Sequence, residues 1–246
     1  MESRIDYALL QKILSCKKCK DQSDLSKYFP RDCLPVCSFG DPLDDAGKPK
    51  KVFIVGINPS DAEYNGRRPH LKKSPKEEAL KSQLKYFAEF FAERYGYFKK
   101  IEEFFNDKEI NAKLGIESEN VWERIGYLDL VKCVTKSSKS TQWNGLKKSE
   151  KKKIVKNCQY FLKRQLSPYK PRLIVGYGKD VGVWFKEGKP PSYEEEFNFI
   201  VNPRRFEFQY QVIYVPQRQG KHSRPEVNEV KSKIKQGLAE KRLERH

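Results

Sequence analysis

The sequence predicts an α/β protein, a three-layer α/β/α sandwich built around a mainly parallel sheet. Short apolar runs alternate along the chain with longer segments of helical periodicity, and each apolar run is continuous, as in strands covered on both faces. Strands that alternate with helices form parallel sheets, because the connecting helices cover the two faces. With 246 residues, 37% of them hydrophobic, the chain is long enough for one sizeable core.

The elements follow from these two patterns. Five apolar runs predict strands, and they lie at residues 52–56, 127–131, 173–176, 197–201 and 212–215. Apolar residues spaced three to four apart predict helices, which lie at residues 3–15, 76–95, 147–166, 178–186 and 225–243. We expect one domain over residues 1–225, with an insertion at about 96–125, and a basic C-terminal helix or tail over residues 226–246.

The charge of the chain favours a polyanionic partner. Lys and Arg number 50 against 33 Asp and Glu, which gives a net charge of +17 and a pI near 9.5. Such an excess indicates nucleic acid, with DNA as the expected partner, although a solvated Lys/Glu surface is the alternative. The sequence has no long apolar run, no signal-peptide pattern and no complete P-loop. We therefore expect a cytoplasmic monomer that neither enters a membrane nor uses a nucleotide cofactor.

The cysteines form three pairs along the sequence, and these are Cys16 with Cys19, Cys33 with Cys37, and Cys133 with Cys158. In a reducing compartment their uneven spacing is typical of metal ligands and core thiols, not of a disulfide framework. The first pair is a C-x2-C motif. Joined to the second pair, it would make a compact tetrahedral zinc site. Joined to the third pair, it would tie the N-terminus to a strand end and a later helix, as an iron-sulfur cluster does.

A resemblance to a known family favours the second combination. The first strand ends in Gly56-Ile57-Asn58-Pro59-Ser60, which resembles the first active-site motif of the uracil-DNA glycosylase superfamily. The iron-sulfur branch of that superfamily has an N-terminal C-x2-C, a Phe-Gly before the first motif, a Val-Lys-Cys after a later strand and a fourth cysteine on the next helix. The corresponding segments here, in the same order, are Ser15-Cys-Lys-Lys-Cys19, Phe39-Gly40, Leu130-Val-Lys-Cys133 and Asn157-Cys158.

The resemblance implies a uracil-DNA glycosylase-like fold and a structural 4Fe-4S cluster on Cys16, Cys19, Cys133 and Cys158. It also implies an enzyme that flips a base out of DNA and hydrolyses its N-glycosidic bond. The iron-sulfur branch usually has Gly-Glu-Ala-Pro-Gly at the first motif, so this chain combines the cysteines of one branch with the turn of others.

In the related branches the Asn of the first motif positions the attacking water, and Asn58 takes that role here. Ile57, Ser60 and His70 are expected to line the base pocket. Ser60 stands where the uracil-strict branch has a bulky Tyr, so it would leave room for a substituent at C5 of the base. His70 replaces the stacking Phe of the family; a surface-loop histidine is the alternative.

Asp129 is the sharpest departure from the family. The iron-sulfur branch has an Asn at this spacing before the Val-Lys-Cys cysteine, and that Asn reads the uracil edge. A carboxylate facing uracil O4 would place two hydrogen-bond acceptors against each other. A protonated Asp, in contrast, could donate to cytosine N3 and accept from the N4 amine. Asp129 thus favours a cytosine-type base, unless it faces away and caps backbone instead.

The second family motif is replaced by residues 215–224. Gln217 stands where His or Asn would support the base O2, and His222 is the other residue that could stabilise the departing anion. The basic residues expected to contact DNA phosphates are Arg218, Lys221 and Arg224 in this loop, with Lys179 after the turn Gly176-Tyr-Gly.

The predicted function is a monofunctional DNA glycosylase that leaves an abasic site. The base is uracil or, favoured by Asp129 and Ser60, a cytosine-type base that includes C5-modified forms. Superfamily members that excise modified cytosines from phage DNA in antiviral defence would match such a pocket. The alternative is a catalytically silent nucleic-acid-binding protein on the same fold, because the second motif lacks its usual His or Asn.

Overall fold

A five-stranded sheet forms the centre of the fold in this computed structural model, with strand order β2-β1-β3-β5-β4. The strands are β1 (Val52–Gly56), β2 (Ile125–Asp129), β3 (Leu173–Tyr177), β4 (Phe199–Val201) and β5 (Gln211–Val215). The first four in spatial order are parallel, and β4 joins the edge antiparallel to β5. The structure describes residues 5–57, 76–89, 96–117, 120–136, 138, 140, 142–185, 199–201, 211–215 and 224–239.

The helices lie between and after the strands. They are α1 (Tyr7–Leu14), α2 (Lys76–Leu84), α3 (Tyr86–Glu89), α4 (Gly96–Glu102), α5 (Lys108–Leu114), α6 (Lys148–Tyr169), α7 (Lys179–Phe185) and α8 (Arg224–Ala239). Asp107 caps the N-terminus of α5, since its carboxylate accepts hydrogen bonds from two backbone N–H groups of the first turn. No helix in these ranges is long and apolar enough to cross a bilayer.

Successive side chains of each strand face opposite sides of the sheet, so the core has two layers. On β1, Val52 and Ile54 face a layer that contains residues of α4, α5 and α8, whereas Phe53 and Val55 face residues of α6 and α7. All five residues of β1, β2 and β3 are buried, as expected for strands that are covered on both faces. The predicted three-layer α/β/α fold with a mainly parallel sheet is therefore confirmed.

The region predicted as an insertion contributes to the core. Its helices α4 and α5 bury side chains against the sheet, and Trp122 stacks on Phe87 with ring centroids 4.0 Å apart. The C-terminal helix α8 adds Val230, Ile234 and Leu238 to the same layer. Both segments are thus parts of the covering layer on one face of the sheet.

Most predicted boundaries are shifted by a few residues, and two of the differences have a clear physical reason. The strand predicted at residues 127–131 is Ile125–Asp129 in the structure. Leu130 and Val131 are buried although the strand has already ended, so their apolar character extended the predicted strand too far. The helix predicted at 76–95 is divided at Lys85 into α2 and α3 in its described part. The apolar pattern located both elements, but it did not show where the backbone hydrogen bonds of the strand or helix end.

Candidate active site and metal centre

Asp129 lies where the carboxyl ends of the central strands meet. It is the last residue of β2 and is paired with Gly56, the last residue of β1. Its side chain is buried, with Oδ1 accepting a hydrogen bond of 3.2 Å from the Tyr127 hydroxyl. Oδ2 is also buried and has no hydrogen-bond partner among the described residues. In an open α/β sheet, this edge is where ligands bind.

Burial makes Asp129 a carboxyl that holds its proton. Loss of solvation raises the pKa of Asp129 to about 7, against the opposing effects of Lys132 and of the Tyr127 hydrogen bond. A carboxyl that is neutral near pH 7 can donate a hydrogen bond, which a carboxylate cannot. The unpartnered Oδ2 is therefore available both as an acceptor and, when protonated, as a donor.

Gly56 leaves the space that this arrangement occupies. A Cβ added to it would lie 1.9 Å from the Tyr127 hydroxyl oxygen and 2.7 Å from Asp129 Oδ1. Neither contact is possible for a real side chain. The glycine of the first motif is required here because the hydroxyl and the carboxyl fill the place of its side chain.

Lys132 is a buried charge that the sequence interpretation missed. Its side chain is 1% exposed, and its ammonium has no hydrogen-bond partner in the described part of the chain. Burial lowers the pKa of Lys132 to about 8, and the nearby Asp129 opposes that change. The signal in the sequence was a lysine inside the otherwise apolar run Leu130-Val-Lys-Cys133. Asp129 and Lys132 are thus two buried ionisable groups beside the site, and each favours the charged form of the other.

Three cysteines converge behind this pair. Cys19 follows α1, Cys133 follows β2 and Cys158 lies on α6, and their sulfurs are all within 4.8 Å of one another. All three are buried. Hydrogen bonds from the Cys133 and Cys158 thiols lower the pKa of Cys19 to about 3, and the Asn157 amide adds a third donor at 3.4 Å. Thiolate is the form that binds metals, so this donor set fits a metal ion or cluster.

The remaining cysteines differ in their surroundings. Cys16, three residues before Cys19, is half-buried and carries a pKa raised by burial. Cys33 is buried in the core layer that contains α4 and α5. Cys37 donates from its thiol to Gln83 Oε1 at 2.9 Å, and burial raises its pKa to about 12. Among the described residues, Cys16 does not join the group of Cys19, Cys133 and Cys158, and the alternative zinc set of Cys16, Cys19, Cys33 and Cys37 is not assembled.

Lys179 is the predicted phosphate contact that the structure describes. It is exposed at the start of α7, directly after Gly178, whose φ of 102° places it in the left-handed region. The neighbouring Asp180 is held by the Trp143 indole N–H at 2.6 Å and by the Lys151 ammonium at 3.2 Å. Because Lys151 pairs with that carboxylate, its negative charge repels an anion at Lys179 less.

Of the other predicted site residues, Ile57 is described. It is partly buried directly after β1, and its carbonyl accepts from the Val131 N–H at 2.8 Å. The predicted residues that lie outside the described residues are Asn58, Ser60, His70, Gln217, Arg218, Lys221 and His222, together with the side chain of Arg224. The segments that carry them follow β1 and β5, whose carboxyl ends lie at the same edge as Asp129.

Comparison with models of protein families identifies a family for this chain. The model of the uracil DNA glycosylase superfamily matches residues 45–236, which is most of the chain and includes all five strands. The match begins after Cys16 and Cys19. No curated protein matches the chain. The activity that this superfamily implies is DNA glycosylase activity. On a match of this extent, together with the sheet that carries it, the chain belongs to the uracil DNA glycosylase superfamily.

Proposed function

We propose that this protein is a DNA glycosylase that extrudes a cytosine-type base, including C5-modified forms, and hydrolyses its bond to deoxyribose. Membership of the superfamily supports the reaction, and the net charge of +17 supports a DNA substrate. The observation that carries the choice of base is Asp129, a buried carboxyl with one unpartnered oxygen at the ligand-binding edge of the sheet.

The argument compares the edges of the two bases. Uracil presents an N3–H donor and an O4 acceptor, whereas cytosine presents an N3 acceptor and an N4 amine. A protonated Asp129 can donate from Oδ2 to cytosine N3. Its Oδ1 has two lone pairs, so it can accept from the N4 amine in addition to the Tyr127 hydroxyl. Uracil would bring O4 against an acceptor, and unpaired acceptors in a buried pocket are costly.

The remaining roles follow the family. Asn58 would orient the attacking water, and Gln217 with His222 would stabilise the departing base anion. Ile57, Ser60 and His70 would line the pocket around the base. Their segments directly follow β1 and β5, which supports a shared site with Asp129.

Binding to DNA would depend on the basic residues around this edge. Lys179, Arg218, Lys221 and Arg224 would contact phosphates, and the exposed position of Lys179 supports that role. A preference for modified cytosines would suit action on foreign DNA that carries them, as in antiviral defence.

A panel of duplexes tests the proposal. Each duplex carries a single uracil, thymine, hypoxanthine, cytosine or C5-substituted cytosine, and abasic sites are converted to breaks with mild alkali. We expect breaks at a cytosine-type base, and their absence with Asn58→Ala, which should still bind DNA. Breaks confined to uracil would refute the choice of base. Salt-sensitive binding without breaks at any base would favour the catalytically silent alternative, which the unusual second motif supports.

We further propose that Cys16, Cys19, Cys133 and Cys158 hold a structural 4Fe-4S cluster. The three converging sulfurs support this set, and Cys16 lies three residues from Cys19. The cluster would clamp the N-terminal segment, the segment after β2 and α6 together. The same four thiols would also accept a single zinc ion. Equal amounts of iron and acid-labile sulfide in anaerobically purified protein are expected, and zinc alone would refute the cluster.

A further inference from the structure

We propose that Tyr97 and Tyr127 are positioning residues that fix the hydrogen-bonding orientation of Asp129 and thereby set base preference. The inference rests on the proposed role of Asp129 in reading the base. It gives a function to α4, the first helix of the region predicted as an insertion, which otherwise serves only as a covering layer.

A directed chain of hydrogen bonds connects α4 to the site. The Tyr127 hydroxyl donates to Asp129 Oδ1 at 3.2 Å, and the Tyr97 hydroxyl lies 3.1 Å from the Tyr127 hydroxyl. A tyrosine hydroxyl has a single hydrogen to donate. When Tyr127 gives its hydrogen to Asp129, the hydrogen between the two tyrosines comes from Tyr97. The chain therefore runs from Tyr97 through Tyr127 to Asp129.

This direction determines which oxygen of Asp129 carries the proton. Oδ1 accepts from Tyr127, so a neutral carboxyl holds its proton on Oδ2. Oδ2 is the oxygen without a partner among the described residues. The chain thus presents a donor at Oδ2 and an acceptor at Oδ1, which is the order that matches cytosine N3 and N4. Without the chain, either oxygen could carry the proton and the preference would weaken.

Packing holds both tyrosine rings in place. The Tyr127 ring lies edge-on to Phe98 and Phe39, with centroids 5.1 and 5.5 Å away. The Tyr97 ring lies edge-on to Phe98 at 5.4 Å and to Tyr177 at 5.3 Å. These contacts restrict the rings, so each hydroxyl keeps its position. Among the described residues, the charged group that acts on Asp129 is Lys132, in the segment after β2.

Two conservative variants test the chain. Tyr127→Phe removes the hydrogen bond to Asp129, and Tyr97→Phe removes the hydrogen bond between the two tyrosines. Both variants keep the aromatic ring. Tyr169→Phe is the control, since Tyr169 is buried on the opposite face of the sheet and stacks on Phe53. The first readout is the infrared carbonyl band of the protonated Asp129 carboxyl, assigned by its loss in Asp129→Asn. The second is the ratio of cytosine-type to uracil release.

We expect the carbonyl band to move to higher frequency in Tyr127→Phe and by less in Tyr97→Phe, with no movement in the control. The release ratio should fall about tenfold in Tyr127→Phe, which corresponds to one hydrogen bond of about 1.4 kcal/mol. A band at the wild-type position in both variants would overturn the chain, and a shifted band with an unchanged ratio would overturn its role in base choice. If the wild-type protein releases no base, the proposed function fails, whereas the band still decides whether the chain exists. Should Tyr127→Phe not fold, Tyr97→Phe gives the same tests.

Discussion

Replacing Asp129 with Asn should change how the stability of the protein depends on pH. In the folded protein burial raises the pKa of Asp129 from its ordinary 3.8 to about 7. The unfolded chain ionises near the ordinary value. Because the folded pKa is the higher one, the stability that Asp129 contributes is fully present below the unfolded pKa. It is lost as pH rises towards the folded pKa. Asp129→Asn has no ionisable group there and should not show that loss.

The size of the effect follows from one proton. Between the two pKa values the folded protein binds one proton more than the unfolded chain at this position, which gives a slope of about −1.4 kcal/mol per pH unit. From about pH 5.5 to about pH 7, the wild-type protein should therefore lose about 2 kcal/mol relative to Asp129→Asn. Above the folded pKa of Asp129, its contribution to the wild-type slope should disappear.

Urea unfolding at several pH values, performed without oxygen, measures these slopes. Asp107→Asn is a suitable control, because Lys235 and the first turn of α5 hold the pKa of Asp107 below its ordinary value despite partial desolvation. Its contribution changes only in more acidic solution, so its slope over this range should equal that of the wild type. Equal slopes for the wild type and Asp129→Asn would show that Asp129 is not protonated near neutral pH. The argument for its donation to cytosine N3 would then fail.

Three further changes test the metal centre, the strand end and the DNA contact. Cys158→Ser should lose bound metal and stability, whereas Cys37→Ser should keep the metal, as measured by metal analysis and thermal unfolding. Gly56→Ala should lower the unfolding free energy by about 1–3 kcal/mol, because its Cβ would overlap the hydroxyl behind it; an unchanged urea midpoint would contradict that packing. Lys179→Ala should weaken DNA binding and reduce the slope of log affinity against log salt by about 1. Lys153→Ala should leave that slope unchanged, because the Lys153 ammonium is already paired with an aspartate at the surface.

The sequence predicted the sheet well, because strands covered on both faces are continuous apolar runs. Residues 52–56 matched β1 at both ends. The end of β2 was misplaced, since Leu130 and Val131 are as apolar as the strand but pack after it has ended. The third cysteine pair could be chosen from the order of family motifs. Spacing alone allowed Cys33 and Cys37, and only the fold shows that Cys37 pairs with Gln83 instead.

The surroundings of Asp129 were beyond local pattern. Its position inside an apolar run suggested burial, but the run does not show which side chains surround it. Tyr97 is thirty residues from Tyr127, and aromatic residues in a charged segment are typical of any covering layer. Lys132 lies inside an apolar run, which indicates burial, but the run does not show that Asp129 is its neighbour. Such contacts arise from the packing of helices on the sheet, which single-sequence patterns do not specify.

The most direct measurement is single-turnover release of free base from matched duplexes that differ only in carrying uracil or 5-hydroxymethylcytosine. The wild-type protein should release the modified cytosine faster, and Asp129→Asn should shift the preference towards uracil, because an amide can both donate to O4 and accept from N3–H. Faster release of uracil by the wild-type protein, or the same preference in both proteins, would contradict the assignment of Asp129 as the residue that reads the base.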